Sequence, residues 1–136
     1  MMLIDSNIFM YAAGVDHPNK KSSIHVLQQV VGGALEGCTS VEILQEILHR
    51  YRSIDRWHDG KQVFETAKII SKVIYPIDLE ILDQAKQLLD KYPSIMARDA
   101  VHAATVLVLG LEGICSHDRD FDALIEVHRL EPGNMM

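Results

Sequence analysis

Aromatic side chains are scarce in this chain: Phe, Trp and Tyr make up 6% of its 136 residues, against a hydrophobic fraction of 48%. Leu, Ile, Val and Ala must therefore fill the interior, which suits helices packed on a sheet better than an aromatic-rich β-sandwich. Long apolar runs are missing too, none approaching the roughly 18–20 residues that span a bilayer. The opening Met1-Met2-Leu3-Ile4-Asp5 has no basic stretch and meets a carboxylate early, unlike a signal peptide. Cysteine is limited to Cys38 and Cys115, both in apolar surroundings and outside any CxxC pair. That excludes a disulfide-stapled scaffold and suits buried free thiols in a reducing cytoplasm. Positive charge is short as well, with 13 Lys and Arg against 19 Asp and Glu and a net charge of −6. Such a balance argues mildly against a nucleic-acid binder. The objection weakens if acids gather around divalent cations, because four carboxylates facing two such ions are electrically neutral. Repeats, low-complexity tracts and Pro/Ser linkers are also lacking, so residues 1–136 are read as one domain.

What is present alternates between strand and helix signals. Met2–Ile4 is a short apolar run ending on Asp5-Ser6-Asn7, a strand followed by a helix start. Ile8–Ala13 reads as a short helix closed by Gly14, and Lys20–Val31 as a helix with apolar positions Ile24, Leu27, Val30 and Val31. Leu35–Thr39 predicts a strand. Thr39-Ser40-Val41-Glu42 has capping-box spacing before a helix with apolar positions Val41, Ile43, Leu44, Ile47 and Leu48. A helix over about Asp55–Ser71 follows, then an edge strand Val73–Ile77 containing Pro76, which cannot donate to a ladder. Leu79–Tyr92 is amphipathic, and after Pro93-Ser94 an Ala-rich helix runs to about Leu109. Ile114-Cys115 forms a strand core ending on Ser116-His117-Asp118, with a short helix near Phe121–Ile125 and a last strand at Val127–Leu130. This alternation predicts an α/β fold with a mostly parallel sheet covered by helices on both faces. Ligands of such sheets bind at the carboxyl ends of the strands, where strand order reverses.

Several carboxylates fall at that edge. Asp5 and Asp118 each follow a strand directly and face each other if the strands are neighbours. Asp99 opens an apolar helix whose Ala100, Ala103 and Ala104 permit close packing. Glu42 and Glu46 lie one helical turn apart and share a face. Glu42 has a structural task as the far end of the Thr39 capping box, whereas Glu46 has no such task and is either an exposed residue or part of a site. Two carboxylates about 5 Å apart at an effective dielectric near 20 repel by about 3 kcal/mol, so clustered acids either protonate or bind a cation. Oxygen-only ligands select hard ions, Mg²⁺ or Mn²⁺. Such ions activate water and screen a scissile phosphate, and the reaction class is phosphodiester hydrolysis.

Taken in order, four motifs resemble the PIN-domain family, and within it VapC-like toxins. They are Leu3-Ile4-Asp5-Ser6-Asn7-Ile8, Thr39–Leu48 with Glu46, Arg98-Asp99-Ala100-Val101-His102-Ala103-Ala104, and Cys115-Ser116-His117-Asp118-Arg119-Asp120-Phe121. The resemblance covers nearly the whole chain. It implies a three-layer PIN-like sandwich with a central parallel sheet of four or five strands and helices on both faces. It implies a metal-dependent endoribonuclease with Mg²⁺ or Mn²⁺ as cofactor, RNA as substrate, a cognate antitoxin and homodimerisation, without a membrane. Asp5, Glu46, Asp99 and Asp118 would bind the metal. Asn7, Ser116 and Asp120 would orient those ligands from behind, with Asp120 or Asp122 a candidate extra ligand. Two other readings stay open: a PIN-fold binding module without catalysis, and a phosphohydrolase with Asp5 as covalent nucleophile. Against the latter, Asn7 occupies the position where such chemistry wants a second Asp.

The remaining polar residues carry competing readings. Arg98 and Arg119, each beside a proposed ligand, either steer a phosphate or pair with the acids. His117 is a candidate phosphate contact. His102 shares a helix face with Asp99, but no His/Cys set completes a tetrahedral zinc site, so it reads as a packing or exposed residue. Arg50, Arg52, Arg56, Trp57 and Lys61 form the one basic stretch with an aromatic, suited to single-stranded RNA, to a solvated face or to a protein contact.

Overall fold

The first strand, β1 (Met2–Ile4), is buried along its whole length, and the rest of the chain is arranged about it. The computed structural model describes residues 1–136. After β1 come α1 (Ser6–Ala13), α2 (Lys20–Val31), β2 (Gly37–Ser40), α3 (Val41–Ser53), α4 (Trp57–Ile70) and β3 (Ile74–Tyr75). Then follow α5 (Leu79–Lys91), α6 (Ala97–Leu109), β4 (Gly113–Cys115) and β5 (Arg129–Leu130), with 3-10 turns at Arg119–Ala123 and Pro132–Met135. The strands form one parallel sheet in the order β3-β2-β1-β4-β5. β1 is its centre, pairing Leu3 with Cys38 on one side and with Ile114 on the other. Both faces of β1 are therefore covered, which is why its sequence is uniformly apolar rather than alternating.

The chain winds outward from β1 through β2 to β3, then returns to β4 on the other side of β1. Right-handed crossovers in opposite directions put the pairs α1–α2 and α3–α4 on one face and α5–α6 on the other. Strand order reverses between β1 and β4, and that gap opens at Asp5 and Ser116. A core of 27 buried residues, from Met2 to Val127, runs through all three layers. Gly110 (φ 64) closes α6 in the left-handed region, and Gly113 lets β4 approach β5, since a Cβ there would lie 2.2 Å from the His128 carbonyl oxygen. Both thiols are free and buried, and burial pushes their pKa values to about 11 at Cys38 and about 12 at Cys115.

Four local expectations are corrected. The cap of α3 is Ser40, whose hydroxyl accepts from the Ile43 N–H at 3.2 Å, rather than Thr39. β2 continues one residue further because Ser40 still pairs with Tyr75, so the helix starts later and the Thr39–Glu42 box does not form. The inward stripe of α2 is Ser22, Ser23, Val26 and Leu27, while Ile24 and Val31 are exposed. Ser23 takes an inner position because its hydroxyl donates to the Asn19 carbonyl at 2.7 Å. β3 is an edge strand of two residues, and Pro76 falls just beyond it. The short turn after β4 begins at Arg119, earlier than expected, because Asp118 caps it by accepting from the Asp120 N–H.

Candidate active site

Asp5 is the residue at which β1 becomes α1. Its Oδ1 accepts the Ser6 N–H at 2.7 Å, so Asp5 also caps α1. Its Oδ2 meets the end of β4: the Ser116 hydroxyl donates to it at 2.7 Å and Asn7 Nδ2 lies 3.4 Å away. Asn7 ties the same loop down twice more, donating to Ser116 Oγ at 3.0 Å and accepting the His117 N–H at 3.3 Å. The Ser116 hydroxyl in turn accepts the Asp118 N–H at 3.0 Å. Asp5, at 5% exposure, thus sits in a fixed cradle of hydrogen bonds.

The four sequence-derived acids reach the same sheet edge on β1, α3, α6 and the loop after β4, and they divide between two trios. Donor atoms of Asp5, Glu46 and His102 lie within 4.8 Å of one another, as do those of Asp99, Asp118 and Asp120. Asp120 thus joins the carboxylates themselves rather than standing behind them. Asp122 does not, since it forms a two-pronged pair with Arg129 at 2.9 and 3.1 Å. His102 is neither exposed nor simply packed. It is 1% exposed, and its Nε2 is hydrogen-bonded to Glu46 Oε1. The sequence held one sign of this, the shared helix face of Asp99 and His102, which needs no tetrahedral His/Cys set to be meaningful.

The basic residues have distinct surroundings. Arg98 Nη1 lies 3.8 Å from Glu46 Oε2 and is largely exposed, so it pairs with an acid of the site. Arg119 is exposed and without an ion pair. His117 is not free at Nε2, which meets Ser23 Oγ at 2.7 Å while the ring packs edgewise on Tyr11. This engagement counts against a phosphate contact from Nε2. Arg129 had no sequence signal at all; beyond Asp122 it donates to the Ser116 carbonyl at 2.8 Å and to Glu131 at 2.5 Å. The Arg52 guanidinium stacks 4.7 Å over the Trp57 ring, and Arg56 pairs with Asp59. Arg50 and Arg56 line a groove of about 780 Å³ that also includes Asn7, Tyr11 and Tyr51.

The titration behaviour follows from this crowding. Burial raises the pKa of Asp5, opposed by His102 and by the Ser116 hydrogen bond. Burial, reinforced by the neighbouring charges of Asp118, Asp5 and Asp120, pushes Asp99 up to about 6. Burial works against protonation of His102, yet its hydrogen bond to Glu46 and the charges of Asp5, Glu46 and Asp99 outweigh it and raise its pKa. Carboxylates held together at such cost, with Arg98 and His102 as the only cationic partners, form a donor set that fits a hard divalent cation.

A buried Asp at the topological switch of a parallel sheet, surrounded by further acids from three other elements, defines a PIN-type site. The PIN domain family model matches residues 2–126, and the chain belongs to that family. A VapC ribonuclease of Mycobacterium bovis is 34% identical over 130 residues, covering 96% of this chain and 99% of that protein. Among solved structures, Mycobacterium tuberculosis VapC20, described as a Sarcin-Ricin loop cleaving toxin, superposes with a TM-score of 0.73 at 15% identity, covering 93% of this chain and 98% of that one. A toxin–antitoxin complex from Klebsiella pneumoniae gives 0.67 at 16% identity over 97% of this chain and 98% of the other. At those identities the two structures bear on the fold alone.

Proposed function

We infer that this protein is an endoribonuclease of the VapC type, the toxin of a toxin–antitoxin pair, acting as one PIN unit and dependent on Mg²⁺ or Mn²⁺. The observation that carries this reading is the gathering of Asp5 and Glu46 with His102, and of Asp99 with Asp118 and Asp120, into two trios whose donor atoms each lie within 4.8 Å of one another. Family membership and the 34% identical VapC ribonuclease support the same activity. Asp5, Glu46, Asp99 and Asp118 would hold the ion, with Asp120 an additional oxygen ligand. When bound, a divalent ion supplies charge neutralisation at the scissile phosphate and an activated water. Asn7 and Ser116 fix the Asp5 carboxylate so that little reorganisation is needed when RNA arrives. Arg98 and Arg119, the exposed cations beside the acids, would meet the phosphodiester flanks of the substrate.

No helix is long and apolar enough to cross a membrane, and the reading places the protein with its RNA in the cytoplasm. An antitoxin and a second copy of the chain are the expected protein partners. The test is cleavage of a structured RNA pool with Mg²⁺ or Mn²⁺ against EDTA, beside Asp5→Ala. Cuts that require the ion and vanish in the variant are expected. An ion-independent activity, or one that survives Asp5→Ala, overturns the reading.

A further inference from the structure

Ala100, Ala103 and Ala104 form one fully buried face of α6, and His102, on the other side of the helix with Asp99 and Val106, is as deeply buried, its imidazole at 1% exposure. A leucine would fill that place with no polar atom to satisfy. The histidine instead leaves Nδ1 buried without a partner, a cost that packing alone does not explain. Its other nitrogen makes one contact, Nε2 to Glu46 Oε1, across to α3. The second neighbour of Glu46, Arg98, stands 3.8 Å away, beyond hydrogen-bond distance, and is 59% exposed, so it offers a long, solvated ion pair rather than a fixed contact. α3 and α6 otherwise meet sparsely near this point, so the orientation of the Glu46 head group depends on His102.

We propose that His102 is a positioning residue of the metal centre, holding the Glu46 carboxylate beside Asp5 in the orientation that receives the divalent ion. The proposal rests on the reading of these acids as a metal centre. Residues that orient a ligand typically contribute about 10–100-fold to metal affinity, and their effect disappears when the ligand they orient is removed. His102 therefore acts through Glu46 and not on the ion directly.

The experiment is calorimetric titration of Mn²⁺ into the metal-free full chain, for the wild type, His102→Leu, His102→Gln, Glu46→Gln and the double variant Glu46→Gln/His102→Leu. His102→Leu keeps the volume without the donor and is expected to weaken binding about 10–100-fold. His102→Gln, whose amide nitrogen reaches the place of Nε2, is expected to restore most of it. The double variant is expected to bind no more weakly than Glu46→Gln alone. Should His102→Leu not fold, His102→Asn, whose amide is too short to reach Glu46, takes its place. Wild-type affinity in the Leu or Asn variant overturns the proposal and leaves His102 a packing residue. A further full loss in the Glu46→Gln background overturns it too, because His102 would then hold the ion itself. Absence of Mn²⁺ binding by the wild type, or unchanged binding in Glu46→Gln, sinks the metal-centre reading and this proposal with it.

Discussion

The two acidic trios are built on opposite principles. Asp5, Glu46 and His102 are inner residues, at 5% exposure for Asp5, 15% for the Glu46 side chain and 1% for His102. Their geometry is set by hydrogen bonds from Ser6, Ser116 and Asn7 and by the His102–Glu46 contact. Asp99, Asp118 and Asp120 stand further out, and Asp120 is exposed. Within this trio, Asp118 is held in the short loop after β4, its N–H donating to Ser116 Oγ and its carboxylate accepting the Asp120 N–H. An inner trio fixed before anything binds, beside an outer one open to solvent, suits a site that must hold an ion and still admit a large polyanion. Preorganised polar groups lower the reorganisation that catalysis requires, while the outer acids remain free to adjust as the phosphate enters.

Substitutions that break the contrast should differ in size. Asp5→Ala removes a cradled ligand and is expected to lower Mn²⁺-dependent RNA cleavage by more than the roughly 100-fold upper range for residues that only orient ligands. Ser116→Ala, which removes the hydroxyl joining Asp5 to the β4 loop, should cost about 10–100-fold under the same assay. Asp120→Asn, in the exposed trio, is expected to lie at or below about tenfold. If Asp120→Asn equals Asp5→Ala in effect, the contrast between inner and outer trios is wrong.

A stability measurement sharpens the comparison further. The Asp99 pKa of about 6 lies above its ordinary value of 3.8, so the protonated form is favoured in the folded state. The corresponding stability is fully present below pH ~3.8 and is lost as pH rises through about 6. Metal-free Asp99→Asn should therefore gain on metal-free wild type over that window. At pH 7 it should be the more stable by about 1 kcal/mol once solvent screening is allowed for. Urea unfolding at pH 4, 5, 6 and 7 checks the sign. Saturating Mn²⁺ should reverse it, adding about 2.7 kcal/mol to the wild type at a hundredfold excess over Kd. The smallest effect is expected at Lys86→Ala, whose exposed pair with Asp90 should be worth less than about 0.5 kcal/mol in the same measurement.

Much of the site was legible because it sits where local signals are strong. The apolar run before Asp5, the Ile114-Cys115 core before Ser116 and the Ala-rich helix after Asp99 each mark an element and its end, and strand ends are where parallel sheets put ligands. What the sequence hid was long-range. Whether Thr39 or Ser40 caps α3 depends on β2 pairing with β3, a contact made by residues more than thirty positions away. The role of His102 depends on α3 lying against α6, and composition gave no sign of that. Arg129 anchors the β4 loop through Ser116 and Asp122, and although a strand over Val127–Leu130 is legible, nothing local shows which side chains its arginine reaches.

Anomalous diffraction from crystals grown with Mn²⁺ tests the account most directly. The predicted result is density at the carboxyl ends of β1 and β4, in contact with Asp5 and with at least one of Asp99 and Asp118, and absent in Asp5→Ala crystals grown alike. Density elsewhere, or none among these carboxylates in a protein that still cleaves RNA, would contradict the proposal that they form a divalent-metal active site.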